Sequence, residues 1–189
     1  MSYVRIDAVE YDAGPPEVLA EPANISFYYK VEDMFNNIFL KTTYRAKNIR
    51  DTANEAQVDD FAMSEDEKDA FTLFLRTAVH DAFNKVMKMT TGVDDALILN
   101  ENESDVTGEG TSEEKVFGFR VKDHSAYNEN NLFLVDDGVK NLIESYIMRE
   151  WWEMVGNEAE MTKADVKYKE VKRDLVTKRL FQLRKPFIN

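Results

Sequence analysis

Val139-Lys140-Asn141-Leu142-Ile143-Glu144-Ser145-Tyr146-Ile147-Met148-Arg149-Glu150-Trp151-Trp152-Glu153-Met154-Val155-Gly156 is the stretch that decides the fold. Val139, Leu142, Ile143, Tyr146, Ile147, Trp151 and Met154 recur at three- and four-residue steps. That period predicts a helix from Asp136 or Asp137 to Val155, with Gly156 as its terminator. A further helix follows a short turn. Thr162-Lys163-Ala164-Asp165 opens it, and Ala164, Tyr168, Val171 and Leu175 face inward before Pro186 stops it. A connection of only about six residues makes the two helices antiparallel neighbours.

Working outward, a second helix is expected from Glu65 to Thr90. Ser64-Glu65-Asp66-Glu67 is a capping box, in which the Ser64 hydroxyl and the Glu67 carboxylate each bond a free backbone amide. Phe71, Phe74, Leu75, Ala78, Ala82, Val86 and Met89 form its buried face, and Gly92 its stop. A first helix from Glu32 to Arg50 shows a stripe of Val31, Met34, Phe35, Ile38, Phe39, Ala46 and Ile49. Residues Ile38 to Tyr44 would equally suit a strand.

Two regions break the helical pattern. Residues 1–30 read as an extended arm of one or two β-prone runs, around Tyr3–Val9 and Ile25–Tyr29, that crosses onto a neighbouring surface. Residues 94–122 read as a β-hairpin that pairs Leu97-Ile98-Leu99 with Val116–Val121. Its tip is acidic: Asp94 to Glu114 holds eight carboxylates and neither Lys nor Arg. The expected fold is therefore mainly α, an antiparallel bundle of about four helices with an N-terminal extended arm and an inserted β-hairpin. Residues 1–30 are the arm, and 31–189 form one helical domain.

The 189 residues carry 24 Lys plus Arg against 36 Asp plus Glu, a net charge of −12. Such an excess repels phosphate backbones and argues against a sequence-reading DNA-binding protein. Thr162 to Asn189 nevertheless holds nine cations against three anions, a net +6, leaving −18 on the other 161 residues. A basic end on an acidic body is self-complementary between copies, although a solvated helix balancing an acidic surface would show the same pattern. The absence of cysteine removes disulfides, thiol nucleophiles and cysteine zinc sites. No apolar run is long enough for a bilayer, and Asp7 and Glu10 interrupt any early signal-like stretch, so a soluble chain in a reducing cytoplasm is expected.

Chemistry-bearing motifs are scarce. His80 and His124 have no second ligand at a metal-binding spacing. Asn100 to Asp105 lacks the glycine and glutamate of a calcium loop. No phosphate-cradling glycine motif or nucleophile elbow occurs. Neither an enzyme nor a cofactor is expected, and no metal ligand can be named. Trp152 falls on a flank of its helix, where it either covers the next helix or anchors another chain.

The plan of arm, helices, acidic hairpin and closing antiparallel pair resembles the ring-forming head-to-tail connector proteins of tailed phages, and is closest to neck ring proteins of crAss-like short-tailed phages. Tyr146 through Gly156, Tyr168, Leu180, the ending Leu183-Arg184-Lys185-Pro186 and the opening Met63–Glu67 carry the likeness. It implies a virion structural protein in the portal-to-tail neck, made in the host cytoplasm, with no membrane partner. Its partners would be copies of itself, commonly twelve, the portal, and other neck or tail proteins. Genome DNA would be met only in passage. On that reading Trp152, Lys178, Arg179, Arg184, Lys185, Phe187 and Ile188 are candidate partner contacts. Glu101, Glu103, Asp105 and Glu109 would be an acidic lining that lets DNA slide past. A small acidic regulator of a basic partner, or another tail or internal virion protein, is the alternative.

Overall fold

The computed structural model describes residues 2–7, 24–49, 58–84, 97–102, 115–121 and 132–179. Strands β1 (Ser2–Asp7) and β2 (Asn24–Lys30) lead into helix α1 (Val31–Ala46), the short α2 (Val58–Phe61) and α3 (Lys68–Ala82). Strands β3 (Leu97–Asn102) and β4 (Lys115–Val121) precede the long α4 (Leu132–Met154) and α5 (Glu158–Asp174). The architecture is mainly α with an inserted β-hairpin, as the periodicity predicts.

The sheet is antiparallel throughout, in the order β1-β2-β4-β3. Residues 2–7 and 24–30 are extended, as expected, but their destination differs from the expectation of an arm on a neighbour. β2 lies between β1 and β4 of its own chain. The reason is the alternation of Ile25, Phe27 and Tyr29, whose side chains join the core beside Phe117 and Phe119. Phe27 faces Phe119 in register, with ring centroids 5.1 Å apart. Gly118 opposes Tyr28, and a Cβ there would run into the carbonyl oxygen of Phe27. A glycine lets the two central strands approach.

In α1 the buried set is Val31, Met34, Phe35, Ile38, Thr42 and Ala46, a helical period that excludes the strand alternative for 38–44. Thr42 is buried and accepts a hydrogen bond from the Met63 amide at 3.1 Å, which docks the start of the next segment. The Ser64–Glu67 capping box is formed, with the Ser64 amide donating to the Glu67 carboxylate at 2.6 Å. It opens one tight turn before α3 begins. Phe71, Leu75, Ala78 and Ala82 are buried as expected, and Phe74 is half-buried. Val86, Met89 and Gly92 lie outside the described residues.

α4 begins a turn earlier than Asp136, at Leu132, and α5 begins four residues before Thr162. The earlier start of α5 has a local cause at the α4–α5 junction. Gly156 adopts φ +72°, its amide donates to the Glu153 carbonyl at 3.1 Å, and the Asn157 amide reaches the Trp152 carbonyl at 3.0 Å. This is the paired bonding of a Schellman stop. The Asn157 side chain then accepts from the Glu160 amide at 3.1 Å, so one residue closes α4 and caps α5. Near the other end, the buried Tyr29 hydroxyl donates to Asp136 Oδ1 at 3.3 Å and holds the start of the second turn of α4 against β2. Burial, then the Asp136 charge, raises the Tyr29 pKa well above its ordinary value.

α4 is the central element. Twelve of its residues are buried, Trp151 and Trp152 among them. Trp151 donates from Nε1 to the Phe61 carbonyl at 3.0 Å. Among the described residues, no helix is long and apolar enough to cross a membrane.

Candidate functional site

α1 and α5 both pack on α4 but diverge, leaving an open groove of about 760 Å³ floored by α4. One wall is the face of α1 next to its buried stripe, with Leu40, Lys41, Tyr44 and Arg45. The other is α5, with Ala164, Lys167, Glu170, Val171, Arg173 and Asp174. The floor is low because Gly138, Asn141 and Ser145 are small, with Met148 at one end. Leu40 is 64% exposed and Tyr44 73% exposed, one helical turn apart on the lip.

Charge on the floor is held by the chain itself. Glu144 is buried, ion-paired with Lys41 and bonded by Asn37 Nδ2 at 3.3 Å. Arg45 reaches Glu160 of α5 at 3.3 Å and bridges one end of the groove. These pairs cross between helices and fix the width of the opening.

A second cluster lies where α3, α4 and α5 meet. The Arg149 guanidinium sits 4.7 Å from the Tyr146 ring centroid and 5.2 Å from that of Tyr168. It also pairs with Glu150 at 2.5 Å and with Asp165 at 4.0 Å. The Tyr168 hydroxyl donates to Asp81 of α3. Burial first, then the bond to Asp81, raises the Tyr168 pKa, and burial with the Glu150 charge raises that of Tyr146. Burial alone would lower the Arg149 pKa, but the hydrogen bond and charge of Glu150 more than offset it. Each of these groups is engaged by a neighbour, so the cluster clamps three helices together.

The residues singled out from sequence have different fates. Trp152 is 0% exposed and offers no surface to another chain. α2 covers the flank that the sequence left open, with Phe61 and Trp152 ring centroids 6.4 Å apart. Trp152 Nε1 has no hydrogen-bond partner among the described residues. Lys178 and Arg179 close a wide turn at Leu175–Arg179 that continues α5, and their side chains lie outside the described residues. Arg184, Lys185, Phe187 and Ile188 lie outside them too. Glu101 pairs with Val116 through the backbone of β3, while its side chain, together with Glu103, Asp105 and Glu109, is outside the description. His80 is exposed, its Nδ1 3.1 Å from Asn84 Nδ2. His124 lies outside the described residues. Among the described residues no group of three or more His, Asp or Glu side chains is placed to hold a metal ion.

Sequence reading missed Leu40, Tyr44 and Leu73 as surface features. The signal available was their spacing, off the apolar stripe of each helix. Comparison with protein-family models, curated proteins and solved structures finds no match.

Proposed function

We propose that this chain is a structural assembly subunit without a reaction centre, acting as a ring protein of the portal-to-tail neck of a tailed phage. The groove between α1, α4 and α5 supports the assembly part of this reading. Its lip presents Leu40 and Tyr44 to solvent, while the charges on its floor are committed to pairs within the chain. A wide opening with an apolar lip suits a protein segment, because helix-in-groove contacts take their affinity from a few exposed apolar anchors. The sequence adds a net +6 over residues 162–189 against an acidic remainder, a segregation that favours ordered contact between copies.

In that role, copies of the chain, commonly twelve, enclose the genome channel and seal the joint between the portal and the tail proteins. DNA passes the acidic residues of the hairpin without being read or held. The virion neck is then its working location. Electron microscopy of the purified full-length protein, alone and mixed with a portal assembly, tests the proposal. Closed rings alone or on the portal are expected. A protein that stays monomeric and leaves the portal bare would refute the neck reading and favour the small acidic regulator.

A further inference from the structure

We infer that residues 180–189 turn back and seat in the α1–α4–α5 groove of the same copy, as an apolar latch across it. A neighbouring copy that uses the groove has to displace this segment, so the inference goes beyond the assembly reading above and is tested apart from it.

The segment starts beside the groove. Ala164, Lys167, Val171 and Asp174 run along the α5 wall, and Asp174 is both the last residue of α5 and part of the lining. Residues 175–179 stay packed on α4, with Leu175 buried, and residue 180 follows directly. From Ala164 to Asp174 on the wall, and from Gly138 to Met148 on the floor, the groove runs for about 15 Å of helix. A ten-residue segment reaches at most roughly 33 Å when extended. That is enough to reverse direction and cover the whole length.

The chemistry matches as well. Four cations and three carboxylates line the groove, and Lys41 and Arg45 are already paired with Glu144 and Glu160. With charges so nearly balanced, net charge does not choose the occupant; apolar surface does. The groove offers the exposed lip residues Leu40 and Tyr44, with Met148 and Val171, over a floor kept low by small side chains. The segment supplies Leu180, Phe181, Leu183, Phe187 and Ile188, half of its residues. Side chains at that density gain by leaving water. Residues 50–57, 103–114 and 122–131, by contrast, hold only Val106 and Tyr127 as large apolar side chains between them. The covalent tether also presents the segment to its own groove at an effective concentration of about millimolar, which a second copy in dilute solution does not reach. Phe187 and Ile188, which the resemblance assigns to contacts with another chain, thereby have a seat within their own.

The chain has no cysteine, so introduced pairs report proximity without interference. Lys167→Cys, on the α5 wall, is combined with Lys185→Cys in the full chain. A comparison pair joins Lys185→Cys to Leu73→Cys, an exposed position of α3 that does not line the groove. Circular dichroism melts check that each variant folds. Both are oxidised under mild conditions in dilute solution and followed by loss of free thiol and by mass on non-reducing gels. The Lys167/Lys185 pair is expected to close within one chain roughly tenfold faster than the comparison pair, or more. Adding Phe181→Glu and Phe187→Glu to the same chain should remove most of that advantage. Equal rates for the two pairs, or an advantage untouched by the glutamates, would overturn the latch. So would a product of twice the subunit mass, which seats the segment of another copy in the groove. The assembly reading is decided separately, by the mass of the unmodified protein. Should the double-glutamate chain fail to fold, Phe181→Ser and Phe187→Ser made singly, each with a smaller loss expected, replace it.

Discussion

Lys41 of α1 and Glu144 of α4 form an ion pair across the floor of the groove, with the carboxylate buried and the ammonium half-exposed. That asymmetry makes the two partners unequal. Lys41→Ala leaves a buried carboxylate with the Asn37 amide as its remaining side-chain partner among the described residues, and should cost about 1–3 kcal/mol. Glu144→Gln keeps the Asn37 contact and releases a lysine that reaches water, so it should cost less. Urea unfolding of the two variants measures the difference, and equal costs would mean that the carboxylate is not effectively buried.

Gly118 is where the two central strands come closest. Gly118→Ala sets a methyl group against the Phe27 carbonyl and the Tyr28 ring, contacts that backbone cannot relieve cheaply. A loss of about 1–3 kcal/mol is expected from this overpacking, read as a lowered thermal midpoint. An unchanged midpoint would place β2 and β4 further apart than described.

Trp152 is a core residue rather than a partner anchor. Trp152→Ala should cost about 3–5 kcal/mol, whereas a residue used only to hold another chain would leave monomer stability intact. Guanidinium unfolding under dilute, dissociating conditions separates the two. Trp152→Phe should recover most of the loss, because its ring nitrogen has no hydrogen-bond partner among the described residues.

Tyr168 links stability to alkaline pH. Its pKa in the folded chain is raised above the ordinary tyrosine value of 10.0 by burial and by its bond to Asp81. The folded state therefore favours the protonated phenol. This contribution is fully present below the unfolded value and is lost as pH rises through the folded one. Stability should fall above about pH 10, and Tyr168→Phe should flatten part of that fall while Tyr29 and Tyr146, shifted in the same direction, retain the rest. Thermal melts across the alkaline range supply the test; an identical slope in the variant would contradict the linkage.

The legible features were local ones. The period of residues 139–154, the Ser64–Glu67 capping box and the left-handed stop at Gly156 are each written within a few neighbouring residues, and each is found in the fold. What escaped depends on partners far along the chain. β2 joins β4 across some ninety residues, and nothing in Ile25–Tyr29 states that Phe117 and Phe119 will meet it. Trp152 read as a flank because the short α2, which buries it, has only four residues and carries no period. The groove was invisible for the same reason: it is a gap between three helices, fixed by the Lys41–Glu144 and Arg45–Glu160 pairs.

Assembly is the claim on which the functional account rests, and the mass of the full-length protein in solution tests it most directly. Sedimentation velocity over rising protein concentration at low and high salt should reveal multimers that grow with concentration and weaken as salt screens the opposed charges. A single species of one-subunit mass at every concentration and salt level would contradict the account.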